Sequence, residues 1–123
     1  MDETRLGAVE ARFADIIWQN APLSSGELVK LCAQQLEWKK STTYTVLKKL
    51  CDRGIFQNRD GLVTSVLSQK EFQSRQSRRF VEDTFSGSLP AFIAAFAEGG
   101  NLTEHDISEI RKMIDSYGRG EKK

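Results

Sequence analysis

The residues from Lys39 to Arg59 concentrate the side chains with the most evident chemistry. Six cations (Lys39, Lys40, Lys48, Lys49, Arg53 and Arg59) stand there against the single acid Asp52, a local charge of +5 in a chain of net charge +1. Residues 1–38 run the other way, with three cations against six acids, or −3. A basic island on a nearly neutral protein is the footprint expected for a polyanion. Charge alone fits a solvated helix face equally well, so the intervening residues matter. They are Ser41, Thr42, Tyr44 and Thr45. Hydroxyls bond base edges or phosphate oxygens, a tyrosine ring meets thymine methyl groups, and ammonium groups meet phosphates. The set therefore suits duplex DNA.

Catalytic and metal chemistry find less support. Catalysis needs a nucleophile or base backed by a second group. His105 is the only histidine, and Cys32 and Cys51 stand apart with no CxC or CxxC partner. Both cysteines read as small apolar side chains inside helices, so an enzyme, a zinc site and a disulfide framework are all unexpected. No cofactor is expected either. A composition of 39% hydrophobic and 28% charged residues is that of a globular protein. No apolar run approaches the ~20 residues of a spanning helix, and the start MDETRLGAVEARF lacks the basic and apolar regions of a signal peptide. A cytoplasmic protein without membrane insertion is expected.

The elements that must position the island follow from periodicity and punctuation. Gly7 to Asn20 places Val9, Phe13, Ile16 and Ile17 at helical spacing, and Pro22 ends that helix. A very short strand at Leu23 precedes a second helix, capped by Ser24 or Ser25 with Glu27 in its first turn. Leu28, Val29, Leu31 and Cys32 form its apolar face, and it ends near Gln35. Ser41 to Arg53 forms a third helix burying Thr43, Val46, Leu47 and Leu50, with Gly54 at its left-handed end. A turn of ~100° per residue then brings Ser41, Thr45, Lys48 and Asp52 to the opposite side, flanked by Thr42, Tyr44 and Lys49. Asp60-Gly61 joins two extended runs into a hairpin, with Arg59 at its tip.

Helix, short strand, helix, helix, hairpin is the order of a winged helix, whose third helix is the natural occupant of a major groove. Beyond Ser68 the pattern is helical again. Phe80, Phe85, Leu89, Phe92, Ile93 and Phe96 supply apolar faces, and a last helix opens at Thr103 with Asp106 completing a capping box. Ile107, Ile110, Met113 and Ile114 follow at helical spacing. Three short helices cannot readily bury these faces alone, which calls for self-association, the alternative being packing back on the winged helix. The fold class expected is mainly α with a small β wing, in three parts. These are a winged-helix DNA-binding domain over 1–68, a helical dimerisation segment over 69–117 and a flexible tail over 118–123.

Three stretches carry a resemblance over nearly the whole chain: AVEARFADIIW near the start, WKKSTTYTVLKKLCDRG at Trp38 to Gly54, and NLTEHDISEIRKMI near the end. In that order they resemble the penicillinase-repressor (BlaI/MecI/CopY) family. The resemblance implies a bacterial homodimeric transcriptional repressor that binds a dyad operator and controls β-lactam-resistance or copper-handling genes. It places Tyr44 and Thr45 at the family's base-reading pair with Thr42 beside them, and tyrosine stands at 44 where β-lactam repressors often carry arginine. It further implies derepression by a membrane sensor protease, or an activity under its control, that cuts the dimerisation segment. The corresponding bond joins Ala95 and Phe96, with alanine where familiar members carry asparagine. The copper branch senses metal through C-terminal cysteines, and no cysteine follows Cys51. Two other readings stay open: a ligand- or metal-responsive winged-helix repressor, and a winged-helix protein-interaction module without specific DNA binding.

Overall fold

The computed structural model describes residues 5–119 and is mainly helical. Its elements are α1 (Ala8–Asn20), β1 (Leu23–Ser24), α2 (Ser25–Leu36), α3 (Lys40–Asp52), β2 (Phe56–Arg59), β3 (Leu62–Ser65), α4 (Gln69–Phe85), α5 (Leu89–Glu98) and α6 (Glu104–Gly118). The chain divides into two compact units, Met1–Arg79 and Phe80–Lys123.

Local signals start and stop the helices of the first unit. Gly7 is extended at the N-cap of α1, and its amide donates to the Glu10 carboxylate at 3.1 Å. Ser24, not Ser25, caps α2: its hydroxyl accepts from the Glu27 amide at 3.0 Å while its own amide donates to the Glu27 carboxylate at 3.1 Å. Such reciprocal caps satisfy two amides that the helix leaves without partners. α4 opens on the same device, Ser68 with Glu71, at 2.9 and 3.0 Å. At the other end of α3, Gly54 takes φ of 81°, a left-handed conformation that glycine adopts without a Cβ clash.

The first unit buries one core. Phe13, Ala14, Ile16 and Ile17 of α1 meet Leu28 and Cys32 of α2, Leu47 and Leu50 of α3, Leu23, Phe56 and Val63 of the sheet, Ile55 and Phe72. Each large side chain fully buried in it contributes about 1.5–3 kcal/mol. Phe13 stacks on Trp38 with centroids 5.3 Å apart, and Trp18 lies between Phe56 and Phe72. Phe72 thus secures the start of α4 to the first unit, and the Trp18 indole donates to the Leu67 carbonyl at 3.0 Å. Two expectations for the inward faces need correcting. Val9 is half exposed and Ala14 takes a buried position of α1 instead, because α1 turns the Phe13–Ala14 and Ile16–Ile17 edge inward. Val46 packs at the margin of the core and is only partly buried, whereas Thr43 is fully buried. The Thr43 hydroxyl donates to the Lys39 carbonyl at 3.2 Å, which satisfies it there.

The sheet is antiparallel in the order β1-β3-β2. Arg59 pairs with Leu62 across a two-residue turn in which Asp60 (φ 53°) and Gly61 (φ 83°) are both left-handed. Positive φ at both central residues matches the twist of the flanking strands.

In the second unit α5 is capped by Ser88, whose hydroxyl accepts from the Ala91 amide, and α6 by the Thr103–Asp106 capping box. Phe80, Phe85 and Phe92 meet edge to face with centroids 5.6–6.0 Å apart, and Phe96 lies 6.3 Å from Phe92. Among the described residues none of α5 or α6 is fully buried. α6 remains helical through Gly118, the first residue of the expected tail, and residues 120–123 of that tail lie outside the described residues.

Candidate nucleic-acid interface

α3 displays its polar residues as its periodicity requires. With Thr43, Leu47 and Leu50 inward, Ser41, Thr42, Thr45, Lys48 and Lys49 are exposed, as are Lys39 at the N-cap and Lys40 in the first turn. The Thr45 hydroxyl donates back to the Ser41 carbonyl at 2.9 Å and keeps its oxygen as an acceptor. Arg59 is exposed at the end of β2, next to the turn of the wing.

The island's cations fall into two sets. Lys49 ion-pairs with Glu10 of α1 at 2.7 Å, and Lys48 with Asp52 one turn on at 3.1 Å. Arg53 donates to the Arg5 carbonyl at 2.7 Å. Among the described residues no ion pair or side-chain hydrogen bond engages the side chains of Lys39, Lys40 or Arg59. Positive charge free to meet a phosphate is therefore concentrated at the N-terminus of α3 and the wing, with the helix's own amide dipoles at the former. The bond to Lys49, and after it the Gly7 amide, hold the Glu10 carboxyl below the usual carboxylate range.

Tyr44 is half-buried, and its ring packs against the core. Its hydroxyl donates to the Ser25 hydroxyl at 3.1 Å, while the Ser25 amide donates to the Gly61 carbonyl of the wing turn at 2.8 Å. Ser25 thus meets both α3 and the wing. Sequence reasoning misses Ser25 and Glu10 as parts of this face. Ser25 reads there only as a cap, and Glu10 counts there only toward the acidic balance of residues 1–38, whereas its carboxylate pairs with Lys49 of the island.

Burial raises the thiol pKa of both Cys32 and Cys51, which suits side chains that pack instead of reacting. Among the described residues no group of three or more histidine, cysteine or acidic side chains is placed to hold a metal, and no helix is long and apolar enough to cross a membrane.

The residues singled out for dimerisation gather in the second unit. Phe80, Leu89, Phe96, Ile107 and Ile114 are exposed, while Phe85, Phe92, Ile93 and Ile110 are half-buried. Phe92, Ile93, Phe96, Leu102 and Ile110, with Asp106 and Glu109, line a cavity of about 370 Å³. Ala95 and Phe96 both lie within α5, so the bond between them is helical.

A three-helix core with a β1-β3-β2 wing, followed by further helices, defines a winged helix-turn-helix of the DNA-binding class. The penicillinase repressor family model matches residues 6–116, and the chain belongs to that family, one of transcriptional repressors and not of enzymes. It is 21% identical over 114 residues to the methicillin resistance regulatory protein MecI of Staphylococcus aureus strain Mu50, covering 89% of this chain and 93% of that one. It is 20% identical over 117 residues to the penicillinase repressor of Bacillus licheniformis, covering 92% and 91%. To MecI of Mammaliicoccus sciuri it is 20% identical over 114 residues, covering 89% and 93%.

Proposed function

We propose that this repressor acts in the cytoplasm as a homodimer that binds a dyad operator, with α3 of each protomer in a major groove and each wing against the backbone. The observation that carries this reading is the outward face of α3, where Ser41, Thr42 and Thr45 stand exposed between Lys39, Lys40 and Lys48. Lys39, Lys40 and Arg59 contact phosphates, and the three hydroxyl residues meet base edges or phosphates. Tyr44, Lys48 and Lys49 border the same surface.

One winged helix neutralises few phosphates and binds weakly. The second unit joins two copies through Phe80, Phe85, Leu89, Phe92, Ile93, Phe96, Ile107, Ile110 and Ile114, an apolar set whose exposure calls for a partner. Linking the half-sites raises affinity by roughly 10²- to 10⁴-fold, so breaking the dimer releases the operator. The regulated genes are those of a β-lactam-resistance or related stress operon, and the signal is a membrane sensor protease, or an activity under its control, that cuts Ala95–Phe96. Because that bond lies inside α5, cleavage requires the helix to unwind locally.

Footprinting on the promoter of the protein's own operon tests the binding mode: two symmetric protected half-sites about one helical turn apart are expected. A single or unsymmetric footprint contradicts it. Incubation with the neighbouring sensor under induction should give fragments ending at Ala95. The apolar cavity of the second unit favours a second reading, release by a small ligand, which an intact chain under inducing conditions would select.

A further inference from the structure

We propose that Tyr44 and Ser25 form a positioning link that fixes the reading helix relative to the wing, so that Tyr44 serves operator recognition through Ser25 and not through its own contact with a base. The link deepens the DNA-binding reading and rests on it. Three observations carry it. The Tyr44 hydroxyl donates its single proton to the Ser25 hydroxyl at 3.1 Å. The Ser25 amide donates to the Gly61 carbonyl at 2.8 Å, and the adjacent Ser24 pairs with Leu62 of β3, so the start of α2 is already tied to the wing. The Tyr44 ring is half-buried against the core, which leaves the hydroxyl little freedom to turn outward.

The physical consequence is selective. Attraction to phosphates depends on charge and tolerates small changes of helix orientation, whereas base readout needs donors and acceptors in register with base edges. A link that joins α3, the α2 N-terminus and the wing turn therefore governs the difference between operator and other DNA. It contributes little to binding common to both. Both side chains are uncharged and half-buried, so their removal leaves the island's charge unaltered.

A double-mutant cycle on the full chain tests this. Wild type, Y44F, S25A and the Y44F/S25A double variant are titrated by fluorescence anisotropy against a duplex from the protein's own promoter and a scrambled duplex of equal length. Y44F keeps the ring and its packing, and S25A keeps the amide bond to Gly61. Each single variant should weaken promoter binding by roughly 2- to 13-fold, the effect of one hydrogen bond, and leave scrambled binding within about 2-fold. The double variant should be no weaker than the worse single one, with melting temperatures lowered only as far as the loss of one hydrogen bond entails and every variant folded at the assay temperature. Additive losses, or a loss in Y44F with S25A unchanged, overturn the proposal and assign Tyr44 a direct DNA contact. Equal losses on both duplexes, or no loss in either single variant, also overturn it. A wild type without preference between the duplexes overturns the DNA-binding reading together with the link, and is recognised before any variant is compared.

Discussion

Charge removal from the basic island should separate its lysines into two kinds. Glutamine at both Lys39 and Lys40 removes cations with no ion-pair partner among the described residues, whereas glutamine at Lys48 and Lys49 removes cations already balanced by Asp52 and Glu10. If Lys39, Lys40 and Arg59 each neutralise one phosphate in both protomers of the proposed dimer, a plot of log affinity against log salt has a slope of about −5, from roughly −0.9 per phosphate. Affinity then falls about 10³-fold between 50 and 200 mM salt. K39Q/K40Q takes away four of those six contacts and should flatten the slope to about −2, whereas K48Q/K49Q should leave it within about one of wild type. Anisotropy titrations of a promoter duplex at five or six salt concentrations, with all three proteins, give the slopes directly. A K48Q/K49Q slope as flat as that of K39Q/K40Q would refute the division, since it would mean the two lysines leave their carboxylates for the phosphates. Melting temperature supplies a cross-check: K48Q/K49Q should be somewhat less stable, by about 0–1 kcal/mol for each exposed pair lost.

Three further outcomes follow from the same structure. Glu10 titrates below its usual range because Lys49 and the Gly7 amide bind its charged form. The stability this adds is present above a pH of about 4.5, its ordinary value, and is lost as pH falls through the lowered folded value, so the melting temperatures of wild type and E10Q should converge on acidification; a gap that widens toward acid contradicts this. Phe72→Ala should cost about 3–5 kcal/mol in thermal or urea unfolding of the first unit, because Phe72 is only 4% exposed and packs on Trp18; a loss below about 1 kcal/mol would show that α4 does not depend on it. Gly54→Ala should cost roughly 1–2 kcal/mol from its left-handed backbone alone, since an added Cβ meets nothing within 4 Å; no change on differential scanning would contradict that.

Features encoded within one element are legible in the residues alone. Asp60-Gly61 signals the hairpin because few residues accept two successive left-handed conformations, and Ser24 with Glu27 and Thr103 with Asp106 signal helix starts because their spacing closes a reciprocal cap. The inward edge of α3 follows from Leu47 and Leu50, and with it the outward position of Ser41, Thr42, Thr45 and Lys48. What escapes depends on residues far apart in the chain. Glu10 and Lys49 are 39 positions apart, and Tyr44 and Ser25 are 19 apart. Helical periodicity can place each on a face of its own helix and says nothing of which faces meet. Val9 shows the same limit: an apolar residue at helical spacing reads as inward, yet the edge of α1 that packs is set by α2, α3 and the sheet. Phe72 gives no local sign that it closes the first unit's core, since one phenylalanine in a polar stretch of helix has no periodic partner to reveal its side.

The most direct measurement is the sedimentation of the full chain with a labelled duplex from its own operon's promoter, set beside a scrambled duplex in about 0.15 M salt. Two protomers should travel with each promoter duplex, at an affinity at least ~10³-fold above that for the scrambled one, as is usual for specific sites. One protomer per duplex, or equal affinity for both sequences, would contradict the account of a symmetric pair of winged helices reading an operator.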